Sequence, residues 1–125
     1  MAVIWEKSVG GKRYEVRSAG KTRRLYTDGV FHSQYNPDNP ITGSVWDLLL
    51  LPSLLFNKPI RRVLLLGVGG GAVIQQLRCF HDIEHIAGVE LDAQHLYVAR
   101  KFFGVDEDCA QLVEADAVEY VKHYR

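Results

Sequence analysis

The stretch from Arg61 to Asp92, "RRVLLLGVGGGAVIQQLRCFHDIEHIAGVELD", limits what this chain can fold into more than any other. Val63 to Leu66 form an unbroken apolar run, the pattern of a strand covered on both faces of a parallel sheet. Four glycines follow within five residues: Gly67, Gly69, Gly70 and Gly71. Glycine has no Cβ and tolerates positive φ, so such a turn lets backbone approach a ligand at the N-terminus of the next helix. Three glycines in a row are costly to order, which argues that the space is needed. Val73, Leu77 and Phe80 then recur at helical spacing, and "HIAGVE" is a second strand that ends on Glu90. The result is one βαβ unit. Its turn fits GxGxxA, and its carboxylate lies close to the expected ~20 residues downstream, as in any dinucleotide or nucleoside fold. At that position a carboxylate can accept both ribose hydroxyls.

The chain repeats the pattern beyond Glu90. Asp92 is placed to cap a helix from Ala93 to Phe103, with Leu96, Ala99 and Phe103 as its inner stripe and Gly104 as its stop. "AQLVEAD" reads as a third strand ending at Asp116, followed by a helix from Ala117. Asp116 would stand beside Glu90 at the carboxyl edge of the sheet, where it can accept the exocyclic amine of adenine. The expected sheet is parallel, in the order 3-2-1, and leaves "VLLLG" at an open edge. An unpaired apolar edge invites pairing. Either the chain is a piece of a longer protein, or two copies pair through this edge and the leucine-rich segment before it, which makes a homodimer the expected assembly.

The first 35 residues follow a different period. Gly10-Gly11, Ala19-Gly20-Lys21 and Asp28-Gly29 separate the runs "AVIWEKS", "KRYEVRS", "TRRLYT" and "VFHSQY". Asp-Gly between strand-like runs is a strong hairpin signal. Tyr14 and Val16 should face one side, with Glu15 and Arg17 on the other. Lys21, Arg23 and Arg24 read as a solvated strand face. Residues 36–60 form a polar loop with two prolines, then a helix "SVWDLLLLPSLLF" with Ser44 and Asp47 as a box-like N-terminus. That helix is apolar nearly all round, so it should be covered on most sides and kinked or split at Pro52. The fold class is therefore α/β: a small antiparallel β-meander (1–35), a linking segment (36–60), and a partial Rossmann-like nucleoside-binding domain (61–125).

Fifteen basic and fifteen acidic side chains cancel, so no overall field favours nucleic acid or an anionic membrane. No run approaches the ~18 apolar residues of a membrane span, and the N-terminus has no apolar signal core; the expected location is cytoplasmic. Cys79 and Cys109 are isolated and read as covered thiols. The five histidines lack metal spacing, so no metal is expected.

The glycine turn, the acid after the second strand and Asp116-Ala117 after the third together resemble the class I methyltransferase fold that binds S-adenosylmethionine. A meander ending in "DGVFHS", a helix with an internal proline, then "RRVLLLGVGGGA", "GVELD" and "EADAVEYV" resemble, in order, the spermidine synthase family of polyamine aminopropyltransferases. The resemblance implies S-adenosylmethionine or its decarboxylated form as co-substrate and a polyamine as acceptor. It assigns Gly67, Gly69 and Gly71 to the nucleoside, Glu90 to the ribose, and Asp116 with Ala117 to the adenine. His32 stands where the family usually has a glutamine and is counted with these residues. The chain departs from the family at three other places. Gly70 replaces the aspartate of the usual GGGDGG motif, which would hold the aminopropyl ammonium. Ser44, Val45 and Trp46 replace a tyrosine-histidine-glutamate element. The family's proton-accepting aspartate follows a fourth strand, and the chain ends before it, so no catalytic residue is assigned. A methyltransferase and a non-catalytic binding or assembly module are the alternatives; an NAD-dependent enzyme leaves Asp116 and the meander unexplained.

Overall fold

The computed structural model describes residues 1–124. Four antiparallel strands, β1 (Ala2–Val9), β2 (Lys12–Ala19), β3 (Thr22–Thr27) and β4 (Val30–Tyr35), form a meander in sequence order. Asp28-Gly29 joins β3 to β4, with φ of 48° and 78°. Both central residues of this two-residue hairpin are left-handed, which selects aspartate and glycine. Three parallel strands, β5 (Arg62–Leu66), β6 (His85–Glu90) and β7 (Gln111–Glu114), make the second sheet. The order is β5-β6-β7, so β5 is an edge, as the sequence predicts.

Helices α2 (Ala72–Phe80), α3 (Ala93–Phe102) and α4 (Ala117–His123) follow the three parallel strands in turn. Asp92 caps α3 by accepting from the N–H groups of Gln94 and His95, and Gly104 ends it at φ 67°. One buried cluster joins both sheets: Val16 and Leu25 of the meander lie with Ile74, Ile86, Val98 and Phe103.

Several expectations fail locally. The segment after Ser44 is a 3-10 turn (Val45–Leu49) and then a single α-helical turn, α1 (Leu51–Leu54), split next to Pro52. Ser44 makes no capping bond. Asp47 instead reaches back past it, to the N–H groups of Thr42 and Gly43 at 2.9 Å. Only Leu50 of this segment is buried, whereas Leu48, Leu49, Leu54, Leu55 and Phe56 are exposed. Among the described residues nothing covers these side chains, although the composition of the segment predicts cover on most sides. Leu66, predicted to be covered on both faces, is 49% exposed.

On α2 the buried positions are Ile74, Gln76 and Leu77, while Phe80 is exposed. Glu15 is 4% exposed although it lies on the opposite face from Tyr14 and Val16, because Arg13 and Arg17 close over it with Nε atoms at 3.2 and 3.0 Å. Arg23 and Arg24 are not simply solvated. Arg23 donates to the Phe102 carbonyl, and Arg24 donates to Gln34 and lies over the Phe31 ring. Cys79 is exposed on α2, and Cys109 is half-buried. No helix among the described residues is long and apolar enough to cross a membrane.

Candidate nucleoside-binding site

The glycine turn is closed from below by Glu90. Its Oε1 accepts from the N–H groups of Val68 at 3.1 Å and Gly69 at 2.9 Å, and its Oε2 accepts from the N–H of Asp92 at 2.9 Å. This geometry needs residues that tolerate positive φ. Gly67, Gly69 and Gly71 have φ of 89°, 57° and 85°, a region that L residues with a Cβ rarely adopt. A carboxylate offers about four acceptor positions. Three are used, so Glu90 has room for one further hydrogen bond, where the sequence suggested two ribose hydroxyls.

A second layer holds Glu90 through Asp92. The Tyr14 hydroxyl donates to Asp92 Oδ2 at 2.7 Å, tying β2 to the start of α3. Burial, reinforced by the Asp92 carboxylate, pushes the Tyr14 phenol up to about 12. Burial alone would raise Asp92, but the Tyr14 hydroxyl, His95 and two backbone N–H groups outweigh it and bring its carboxyl below the usual value. His95 is buried, with Nε2 2.9 Å from Thr27 Oγ1 and its ring centroid 5.2 Å from that of His32. Burial lowers its pKa against the opposing pull of Asp92 and Glu90.

A cleft of about 640 Å³ opens over this network and is lined by His32, Gly67, Gly69 and Glu90. Four of the seven residues expected at the site thus come together. Gly71 lies under the turn: it is the N-cap of α2, and a Cβ there would stand 2.8 Å from Val105. Asp116 and Ala117 do not line the cleft. Asp116 caps α4, its Oδ1 accepting from Val118 at 2.9 Å and Glu119 at 3.1 Å, and Ala117 opens that helix. Glu114, one strand across from Glu90, lines the cleft instead, as do Lys12, Tyr14 and Leu91. The sequence carries no local sign of this, since Tyr14 reads only as one residue of an alternating strand. Among the described residues no group of three or more His, Cys, Asp or Glu could hold a metal ion.

The fold and the cleft define a Rossmann-like α/β protein with an N-terminal meander. The family described as "Spermine/spermidine synthase domain" matches residues 48–125, well over half of the chain, and the chain belongs to that family. It is 28% identical over 114 residues to polyamine aminopropyltransferase 2 of Caldanaerobacter subterraneus subsp. tengcongensis, covering 89% of this chain and 36% of that protein. It is 29% identical over 113 residues to polyamine aminopropyltransferase 1 of Hyperthermus butylicus, covering 86% of this chain and 37% of the other. The chain therefore spans less than half the length of these relatives. The crystal structure of spermidine synthase from Thermotoga maritima superposes with a TM-score of 0.73 at 22% identity, over 99% of this chain and 45% of that one. A probable spermidine synthase from Corynebacterium glutamicum gives 0.74 at 15% identity, over 99% and 48%. At such identities the two superpositions show the shared fold.

Proposed function

We propose that the chain binds the 5′-thioadenosine core of an S-adenosylmethionine-type nucleoside, with S-adenosylmethionine and its decarboxylated form as candidate ligands. One observation carries this reading: Glu90 is fixed by three backbone N–H groups at the floor of an open cleft and keeps an acceptor for a ribose hydroxyl. Gly67 and Gly69 give the sugar and sulfur close access to backbone, and His32 closes the wall above. Asp116, whose cap uses only Oδ1, is assigned with Ala117 to the adenine.

The family's reaction, aminopropyl transfer, is an in-line displacement. The amine nitrogen attacks the carbon beside the sulfonium, the carbon–sulfur bond breaks, and sulfur keeps the electron pair as a thioether. The amine proton then passes to a base. Positioning and that proton transfer are the protein's share, because the sulfonium already leaves easily. A second reading, a binding module that performs no transfer, is favoured by the walls beyond Gly69. Among the described residues these carry Trp46, Ser33 and Gln76 and no carboxylate. We assign the exposed β5 edge and the leucines beside it to a second copy of the chain; a monomer by light scattering at low micromolar concentration would remove that assignment.

Calorimetric titration with S-adenosylmethionine, its decarboxylated form, methylthioadenosine and NAD tests the nucleoside reading. Thioadenosine ligands should bind and NAD should not. Glu90→Ala should weaken binding by about 1–3 kcal/mol, the range for hydrogen bonds to a charged group. Unchanged affinity in that variant would mean that the ribose lies elsewhere.

A further inference from the structure

The histidine in the wall of the nucleoside cleft stands at an irregularity of the meander. Along β3 and β4 Leu25 pairs with Ser33 and Tyr26 with Phe31, so His32 is the extra residue of a bulge. A bulge breaks alternation and re-aims a side chain. His32 is half-buried and lines the nucleoside cleft beside Gly67 and Gly69.

A second imidazole stands next to it. His95 is 8% exposed, and its ring centroid lies 5.2 Å from that of His32. Two further contacts fix the His95 ring: Nε2 is 2.9 Å from Thr27 Oγ1, and the Tyr14 ring meets it edge-on at 5.7 Å. Two imidazolium rings at such a separation repel, so the pair takes up its protons in two separated steps.

The groups that face the pair pull both ways. Asp92 Oδ2, 3.8 Å from His95 Nε2, and Glu90 of β6 favour a proton, and Glu114 of β7 lines the same cleft. Lys12 of β2 and burial oppose one, while Tyr14 is a neutral phenol whose hydroxyl is spent on Asp92. A nucleoside would tip this balance. Seated over Gly67 and Gly69, it takes water from the His32 ring, which disfavours the charged form. A ribose hydroxyl donating to Glu90 also draws on a carboxylate that attracts the proton. Both effects act in one direction.

We propose that His32 and His95 form a coupled pair that must be uncharged for the nucleoside to seat, so that binding expels a proton and affinity falls on acidification. The inference rests on the placement of the nucleoside under Proposed function. It gives His32 a task that glutamine, the family's usual residue there, could not perform, because an amide does not titrate in this range.

The test is calorimetry of methylthioadenosine on the whole chain between pH 7.5 and 5.5, a window above the ordinary carboxylate range. Affinity should fall by up to about tenfold across it, the limit for one group titrating near 6.5, and two buffers of different ionisation enthalpy should report proton release on binding. His32→Gln should flatten the slope, and replacing both rings with glutamine should abolish it. Proton NMR of the unaltered chain gives a second readout that needs no variant to fold. The ring signals of His32 and His95 should titrate in two steps, and saturating methylthioadenosine should move the first to lower pH. An affinity that is flat or rises on acidification overturns the proposal, as does a slope that survives the double substitution or a first step that the ligand leaves in place. If methylthioadenosine fails to bind at every pH, the nucleoside reading falls and takes this one with it.

Discussion

Tyr14 and Asp92 are 78 residues apart in sequence and joined by a 2.7 Å hydrogen bond, from phenol to carboxylate. Through it the meander holds the residue whose N–H holds Glu90. Tyr14→Phe removes the donor and leaves Asp92 Oδ2 half-buried without that partner. The expected loss of stability is about 1.5–3 kcal/mol, the range for a hydrogen bond to a charged group. Urea unfolding measures it. If Glu90 is positioned through this link, methylthioadenosine affinity should also fall in the variant under conditions where it remains folded; an unchanged affinity would make the link purely structural.

The same cluster contributes to the pH dependence of stability. His95 titrates below 6.5 and Asp92 below 3.8 in the folded chain, His95 chiefly through burial, with His32 and Lys12 also repelling its charge. Both values are depressed on folding, so as pH falls the unfolded chain takes up these protons first. The contribution of these two groups is fully present above 6.5, begins to fall through His95 below that, and falls again through Asp92 below 3.8. Tyr14 acts with the opposite sign. Its pKa rises from 10.0 to about 12, so its contribution holds up to pH 10 and is lost on the way to 12. Thermal melts should show His95→Gln flattening the segment just below pH 6.5 and Tyr14→Phe flattening the alkaline one. A variant profile parallel to the parent in its own window would remove that residue from the account.

The sequence displays the periodic and local parts of this fold and hides the parts that depend on what lies across a gap. The four meander strands, the cap at Asp92, the stop at Gly104 and the order of the parallel sheet all follow from turn chemistry and alternation over short spans. Glu90 at a strand end beside the glycine turn is legible for the same reason. Glu15 could not be read as buried, because its cover is the pair Arg13 and Arg17, both drawn from nominally solvent-facing positions. The leucines of 48–55 read as core by composition, yet all but Leu50 are exposed, because composition does not say what packs against a segment. Tyr14, Lys12 and Glu114 enter the cleft only through tertiary placement.

Gly70 tests whether the turn is open or filled. Because Phe103 occupies the space a Cβ would need, Gly70→Ala should overpack the site and cost about 1–3 kcal/mol. Gly70→Asp should cost more, since it adds a carboxylate to a buried position. Chemical denaturation of the parent and both variants decides this. An alanine variant as stable as the parent would mean that the turn moves freely away from Phe103, and that an acid there could reach a ligand after all.

Asp116 has two possible roles, and they separate by substitution. As the N-cap of α4 it bonds the N–H groups of Val118 and Glu119 through Oδ1, so Asp116→Ala should cost roughly 1 kcal/mol, while Asp116→Asn keeps a capping oxygen and should cost little. As the adenine acceptor it would use Oδ2, which becomes an amide donor when the capping oxygen of Asn takes the Oδ1 position. The adenine amine would then meet a donor instead of an acceptor. The two variants therefore diverge: alanine lowers the melting temperature, and asparagine leaves it near the parent value while weakening methylthioadenosine binding. If Asp116→Asn binds as tightly as the parent, the residue serves the helix alone, and Glu114, which lines the cleft on the strand before it, becomes the carboxylate to test against adenine.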